Sequence, residues 1–454
     1  MKNTAPALAL ASLALATGLS FADNKGNPEG EFWTYPNRSP ASEATEVRLP
    51  HDIDLAICLD TSGSMEGLIE SAKQRLFALV NDLAKAEPAP RLRISILTFG
   101  SPSNGADNGW VKTVVPLTTD LDLVYMKLFE LRTDGGEEYV ARVADIAAKQ
   151  LAWSTEPGAL KMIVVAGNES AEQDPLLTLE QSIGGAAERG ILVHALYCRQ
   201  GGSGAPRMSP ITASNQNLVP TGIQSQVLSS LGSTGPIAAS SPAMIAPLDE
   251  IALGWKKIAT LAHGAFAMID QDDGIVVMDT PFDEEMILLS SELNGTYIPY
   301  GEGSEWNCSN QIAQDANSIG LNNEAAASRA MTKAGKLYLC SWDLVDALDS
   351  GQVEMGTIDM ALLSEDLRSL DAVALEALVQ EKRASRKRIQ GEMDALGVQR
   401  ETFLMEKRAE LGDNEAEAFD SVLRNAFRGK AAAKGFRFPV SEAPAPSVPP
   451  LEGC

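Results

Sequence analysis

The chain has 454 residues, with 61 acidic against 37 basic ones, a formal net charge of −24 and a hydrophobic fraction of 44%. That length accommodates two domains, or one domain with appendages. The negative balance argues against nucleic acid or an anionic membrane surface as partner and suits a divalent cation.

Met1-Lys2-Asn3 is positively charged and leads into APALALASLALATGLS, an apolar run too short to span a bilayer comfortably. Ser20-Phe21-Ala22 offers a small-x-small cleavage site, so residues 1–22 read as a secretory signal peptide cut after Ala22, with a periplasmic or secreted product. Residues 23–47 are polar, with Pro and Gly, and read as a linker. No later stretch is long and apolar enough for a transmembrane helix.

Strand and helix then alternate. Ile53–Leu59 is an apolar run of buried-strand length, and the amphipathic helix from about Met65 to Ala86 stops before Pro88 and Pro90. Leu92–Phe99 forms a second strand, the Gly/Asn/Ser loop Gly100–Gly109 follows, and Val111–Val115 is a short third strand. Helices are expected over Asp120–Leu131 and Tyr139–Leu151, then the strand Met162–Ala166, a helix over Thr178–Arg189 and the strand Ile191–Tyr197. Residues 201–247, rich in Ser, Gly, Pro and Ala, read as a flexible insertion. The pattern resumes with a helix over Leu248–His263, the strand Ala265–Ile269 and a helix over Asp283–Leu293. This alternation predicts an α/β fold with a doubly wound, mainly parallel sheet.

Residues 299–363 read as a loop-rich connecting segment, in which Cys308 and Cys340 are the best candidates for a disulfide. Cys58 and Cys198 fall in or beside core strands as small buried hydrophobes, and Cys454 is left over. From Ser364 the composition becomes that of long helices. The spacing of Ile389, Met393, Leu396 and Phe403, interrupted by Arg400, predicts a helical hairpin or short coiled coil over 364–430 and possible self-association through it. The basic cluster Lys382, Arg383, Arg386, Lys387 and Arg388 lies among glutamates and reads as a solvated helix face. Residues 431–454 read as a disordered tail.

The first strand breaks at Asp60-Thr61-Ser62-Gly63-Ser64, a carboxylate and two hydroxyls at alternate positions on the loop where open α/β sheets bind ligands. Oxygen donors of this kind suit a hard divalent cation, although Asp and Ser also cap helices. The residues DTSGSM with their flanks resemble the metal-ion-dependent adhesion site of the von Willebrand factor type A (VWA) domain; the resemblance covers roughly Val47 to Asn294, the insertion excepted, and implies a domain over residues 48–298. With Ala166-Gly167-Asn168-Glu169 and Ser341-Trp342-Asp343, it extends to exported bacterial VWA proteins that carry a similar tail.

The resemblance implies metal ligation by Asp60, Ser62 and Ser64. Where the family carries a Thr ligand this chain has Thr133-Asp134-Gly135-Gly136-Glu137-Glu138, and registering on the following helix puts Glu138 in that place, with Glu137 and Thr133 as alternatives. Those glutamates could instead simply favour the positive end of that helix. The family's later Asp is replaced by Ala166, so Asn168 or Glu169 would substitute from outside the first ring of ligands. The implied cofactor is Mg2+, or Mn2+ or Ca2+, and the implied activity is non-enzymatic capture of an acidic group on a protein partner.

Ser64 lacks a nucleophile elbow, no phosphate loop occurs, and His51, His194 and His263 have neither zinc nor triad spacing. His194 reads as a core residue with a satisfied ring, and Thr98 as ordinary strand packing. The alternative function is an envelope scaffold that binds through its carboxyl-terminal helices, the metal being only structural. Deletion after about Ser350 would separate the two readings.

Overall fold

The computed structural model describes residues 52–199, 249–270, 277–411 and 427–438. The signal peptide, linker, insertion, His51, Cys454 and most of the expected tail lie outside the described residues.

Six strands form one sheet in the order β3-β2-β1-β4-β5-β6. They are β1 (Asp52–Asp60), β2 (Arg91–Phe99), β3 (Lys112–Thr118), β4 (Leu160–Gly167), β5 (Ile191–Arg199) and β6 (His263–Asp270). All neighbours are parallel except β3, which runs antiparallel to β2 at one edge. The strands of the centre are apolar on both sides because both sides are covered. Along β1, Leu55 and Leu59 enter one core while Ala56 and Cys58 enter the other, as the two-residue strand period requires.

Helices α1 (Glu66–Ala84) and α2 (Leu121–Glu130) cover the first face through Leu76, Phe77, Val80, Val124 and Tyr125. Helices α3 (Val140–Gln150), α4 (Leu179–Glu188) and α5 (Glu250–Leu261) cover the second through Val143, Ala147, Ile183, Trp255 and Ile258. The doubly wound expectation holds. Strand order reverses around β1, so the crevice at its carboxyl end is the topological switch point where such sheets take ligands.

The carboxyl-terminal third departs from expectation. Residues 299–363 are not loop-rich: they carry α7 (Ser304–Leu321), α8 (Asn323–Ala334) and α9 (Leu344–Asp349), after α6 (Asp283–Asn294). The reason is an inverted helix. In α7 the buried residues are Ser304, Asn310, Gln311, Gln314 and Ser318, whereas Trp306, Ile312 and Ile319 are exposed, so hydrophobic periodicity could not reveal which side faces inward.

A buried ionic cluster ties these helices to α2, while Asn81 of α1 bonds Ser328 and Thr332 of α8. The Arg329 guanidinium reaches Asp122 at 2.8 Å and Asp315 at 2.6 Å, and Lys333 Nζ donates to Asp315 at 2.7 Å and Asn294 at 2.5 Å. Against the cost of burial, the charges of Arg329 and Lys333 hold the Asp315 carboxyl below its usual range.

Helix α10 (Ala372–Leu411) is one 40-residue helix laid along α6, α8 and α9. Its cluster is not a wholly solvated face, because Arg386 is buried, donates to Asp343 at 2.7 Å and Asp346 at 2.6 Å, and stacks over Tyr297 at 4.3 Å. The interrupting Arg400 donates to the buried Asp283 at 2.8 Å. The seam of Ile389 and Met393 therefore packs within the chain. The supposed tail also begins inside the fold: Ala431 and Phe436 are buried in the same core as the sheet, and Arg437 bridges Glu87 through its backbone. Cys308 and Cys340 are free thiols, not a disulfide. Among the described residues no helix is long and apolar enough to cross a membrane.

Candidate functional site

Asp60 is the last residue of β1 and is fully enclosed. Its Oδ1 accepts from the Ser62 amide at 2.8 Å, which folds the turn back on the strand end. Thr61 fastens that turn on both sides. Its amide and hydroxyl donate to Phe99 O at 2.8 and 2.9 Å, and its carbonyl accepts from the Asp134 amide at 2.8 Å. The last contact draws in the loop that carries Glu138.

Met65 occupies the cap position of α1, and its own side chain makes no cap hydrogen bond. Ser62 Oγ and Ser64 Oγ lie 3.2 Å apart, and Asn168 Nδ2, just past β4, donates to Ser64 Oγ at 2.8 Å. Glu138 likewise does not cap α3, whose cap residue Tyr139 has no side-chain bond. Glu138 is buried beside Asp60, whereas Glu137 is exposed and Thr133 half-buried. Glu169 is exposed, and its carbonyl accepts from the Trp255 indole at 2.8 Å. Asp60, Ser62, Ser64, Glu138 and Asn168 come together; Glu137 and Thr133 do not join them.

Two carboxyls this close and this enclosed cannot both ionise unaided. Burial is the first cause that raises Asp60, to about 6, and Glu138, to about 8; the charge of Asp60 raises Glu138 further, and the Glu169 carboxylate raises both. Near neutral pH the pair holds one proton, with Glu138 donating to Asp60.

The donor set fits a divalent cation. Three buried oxygens, Asp60 Oδ2, Glu138 Oε2 and Asn168 Oδ1, have no hydrogen-bond partner, an arrangement that costs free energy until something positive or protic meets them. All the converging atoms are oxygens apart from the Asn168 amide nitrogen, which suits a hard ion. Among the described residues no three His, Cys, Asp or Glu side chains gather, so the two hydroxyls are needed to complete the set.

Two glycines make room for it, and sequence reasoning passed over both. A Cβ at Gly100 would stand 2.5 Å from Asp60 Oδ1 and 3.1 Å from Glu138 Cγ, and its φ of +82° suits glycine; a Cβ at Gly167 would stand 3.2 Å from Asp60 Oδ2. A glycine after a strand carries no further signal by itself. Thr98 stays in strand packing, its hydroxyl accepting from Asn104 at 3.3 Å. His194 is buried as expected but only half satisfied: Nδ1 accepts from the Ala265 amide at 3.1 Å, Nε2 has no partner, and burial lowers its pKa to about 4.

No protein-family model matches the chain, and no curated protein matches it by sequence. Among solved structures, an aerotolerance-related membrane protein from Bacteroides fragilis is 18% identical, with 49% of this chain and 93% of that chain covered and a TM-score of 0.27. A von Willebrand factor type A protein from Catenulispora acidiphila is 15% identical over 34% of each chain, with a TM-score of 0.26. Proximal thread matrix protein 1 from the mussel byssus, in a form with a zinc-occupied MIDAS motif, is 13% identical over 34% of this chain and 37% of that chain, with a TM-score of 0.26. This chain therefore spans about a third of the length of the last two. The fold is assigned by the chain's own topology: five parallel strands with an antiparallel edge, in the order 3-2-1-4-5-6, with the Asp-x-Ser-x-Ser turn closing the central strand, are a von Willebrand factor type A fold.

Proposed function

We propose that the protein is an exported, non-enzymatic module that binds a protein partner through a divalent cation held by Asp60, Ser62, Ser64 and Glu138, with Asn168 supporting Ser64. The observation that carries this reading is the set of unpartnered buried oxygens on Asp60, Glu138 and Asn168, gathered at the switch point of the sheet. A bound Mg2+, or Mn2+ or Ca2+, would supply positive charge and coordination positions open to a partner's oxygen. The chain's own residues do the rest. Thr61 and the Asp134 amide lock the two loops together, Gly100 admits the carboxylates, and the shared proton marks where positive charge is wanted. Export rests on residues 1–22.

The test is capture of envelope proteins on the immobilised chain in Mg2+, with and without a chelator, beside Asp60→Ala. The reading requires capture that the chelator and the substitution both abolish.

One observation favours the second reading, a scaffold that binds through its carboxyl-terminal helices. The outward side of α7 presents Trp306, Ile312 and Ile319, each more than half exposed at 55, 51 and 52%. Ile312 and Ile319, seven residues apart, share one side of the helix, and contiguous exposed apolar surface marks interaction sites. On that reading Trp306→Ser with Ile312→Ser abolishes capture and Asp60→Ala leaves it intact.

A further inference from the structure

Lys333 of α8, Asn294 at the end of α6 and Asp315 of α7 meet at one point. Lys333 is 1% exposed, and its Nζ lies 2.5 Å from the amide oxygen of Asn294 and 2.7 Å from Asp315 Oδ2. The same Oδ2 accepts from Asn294 Nδ2 at 2.8 Å, so each of the three side chains touches the other two. Ser290 fixes the amine further, its hydroxyl and carbonyl oxygens lying 3.1 and 3.3 Å from Nζ. Arg329 Nε holds the other carboxylate oxygen, Oδ1, at 2.6 Å, which leaves Oδ2 to the two nitrogens.

An amine, an amide and a carboxylate so placed are the parts of a transamidation. A carbonyl bond is about 1.2 Å long, so Asn294 Cγ is at most about 3.7 Å from Nζ, close to the separation from which bonds form. Burial holds Lys333 below the ordinary lysine range despite the opposing charge of Asp315, and the neighbouring Arg329 adds to the effect. A desolvated lysine beside a second cation is an activated nucleophile. Asp315 is placed to serve as its base and as the acid for the leaving group, because one oxygen reaches both nitrogens. Asn294 and Asp315 are half-buried, which gives a displaced ammonia its way out.

We propose that Lys333 and Asn294 join in an isopeptide bond, with Asp315 as the catalytic acid and base and ammonia as the leaving molecule. Asp315 Oδ2 takes a proton from the Lys333 ammonium, and the freed electron pair attacks Asn294 Cγ, forming the new C–N bond and pushing the carbonyl pair onto the amide oxygen. Asp315 passes its proton to Nδ2, the pair on the oxygen returns, the Cγ–Nδ2 bond breaks and ammonia departs. The surplus proton on the new amide nitrogen follows through Asp315, so one ammonium ion is lost and nothing is oxidised or reduced. Asp315 keeps Arg329 as its counter-charge once the amine is neutral. The bond clamps α6 to α8 and closes a covalent loop over residues 294–333, the kind of constraint a disulfide supplies and the free Cys308 and Cys340 do not.

The test is the intact mass of the folded full chain, read beside its tryptic map. The expected chain is lighter by one ammonia than its amino-acid sequence requires, is not cut after Lys333, and yields Asn294 and Lys333 in one branched peptide. Asn294 precedes Gly295, and a succinimide formed there would lose the same ammonia. Lys333→Met separates the two, because it restores the full mass only where the lysine is the nucleophile. Asp315→Ala should likewise leave the full mass. Should those enclosed positions not tolerate substitution, Asn294→Ala at its half-buried site must remove both the mass loss and the branched peptide. A wild-type chain of full mass, or a mass loss without the branched peptide, overturns the proposal.

Discussion

Gly100 and Asp60 are in closer apposition than any side chain would permit: a Cβ on Gly100 would stand 2.5 Å from Asp60 Oδ1. The end of β2 thus acts as the floor of the site. Gly100→Ala must displace Asp60 or strain a backbone at φ +82°, with a penalty of roughly 1–3 kcal/mol. The expected outcome is a lowered melting temperature together with weakened divalent-cation binding. Unchanged affinity would show that Asp60 is not needed where it stands.

The shared proton predicts how the site depends on pH. Both folded-state values, about 6 for Asp60 and about 8 for Glu138, lie above the unfolded carboxyl range. The stability this pair contributes to the metal-free protein is therefore complete below about pH 4 and lost as pH rises through about 6 and then 8. Melting curves of the metal-free chain should fall from pH 5 to pH 8 more steeply in wild type than in Glu138→Gln. Cation binding must expel the proton, so affinity should rise over the same interval with proton release detectable in buffers of different ionisation enthalpy.

Arg329 anchors the carboxyl-terminal helices to α2, and its removal leaves the enclosed Asp122 without a cation and Asp315 with Lys333 alone. Arg329→Met leaves Asp122 and Asp315 without their guanidinium and should destabilise the fold by roughly 3–5 kcal/mol in chemical denaturation. A loss under about 1 kcal/mol would mean that the cluster is not held as ion pairs.

Deletion after Ser350 does not discriminate binding by the sheet from binding by the tail. It removes Ile389, Met393, Phe427 and Phe436, which belong to the core that also contains Ile53 and Leu55. The truncated chain should lack a cooperative unfolding transition near that of wild type, as read by circular dichroism. Point substitutions on α7 and at Asp60 are the discriminating pair.

The amino-terminal half was legible because its chemistry and its periodicity agree. The apolar run of β1, its break at Asp60 and the βα alternation after it leave one economical fold, and the structure adds two short 3-10 turns after β2, carries β3 to Thr118 and shifts strand and helix ends by a residue or two. Glu138 was legible by register alone, while its depth was not, since Glu137 beside it is exposed. The carboxyl-terminal helices were legible only in composition. Helix α7 buries Gln311 and Gln314 and exposes Ile312, and α10 buries Arg386 and Arg400 against aspartates that lie far away in sequence. Pairings of that kind are tertiary facts, and no local pattern announces them. Gly100 was silent for the same reason: its role is set by the residue it faces.

The measurement closest to the central claim is calorimetric titration of the chelator-stripped chain with Mg2+, Mn2+ and Ca2+, beside Asp60→Ala. Saturable binding near one ion per chain in wild type, abolished by the substitution, is the predicted result. Equal heats in the two proteins, or none in wild type, would contradict a cation site built on Asp60.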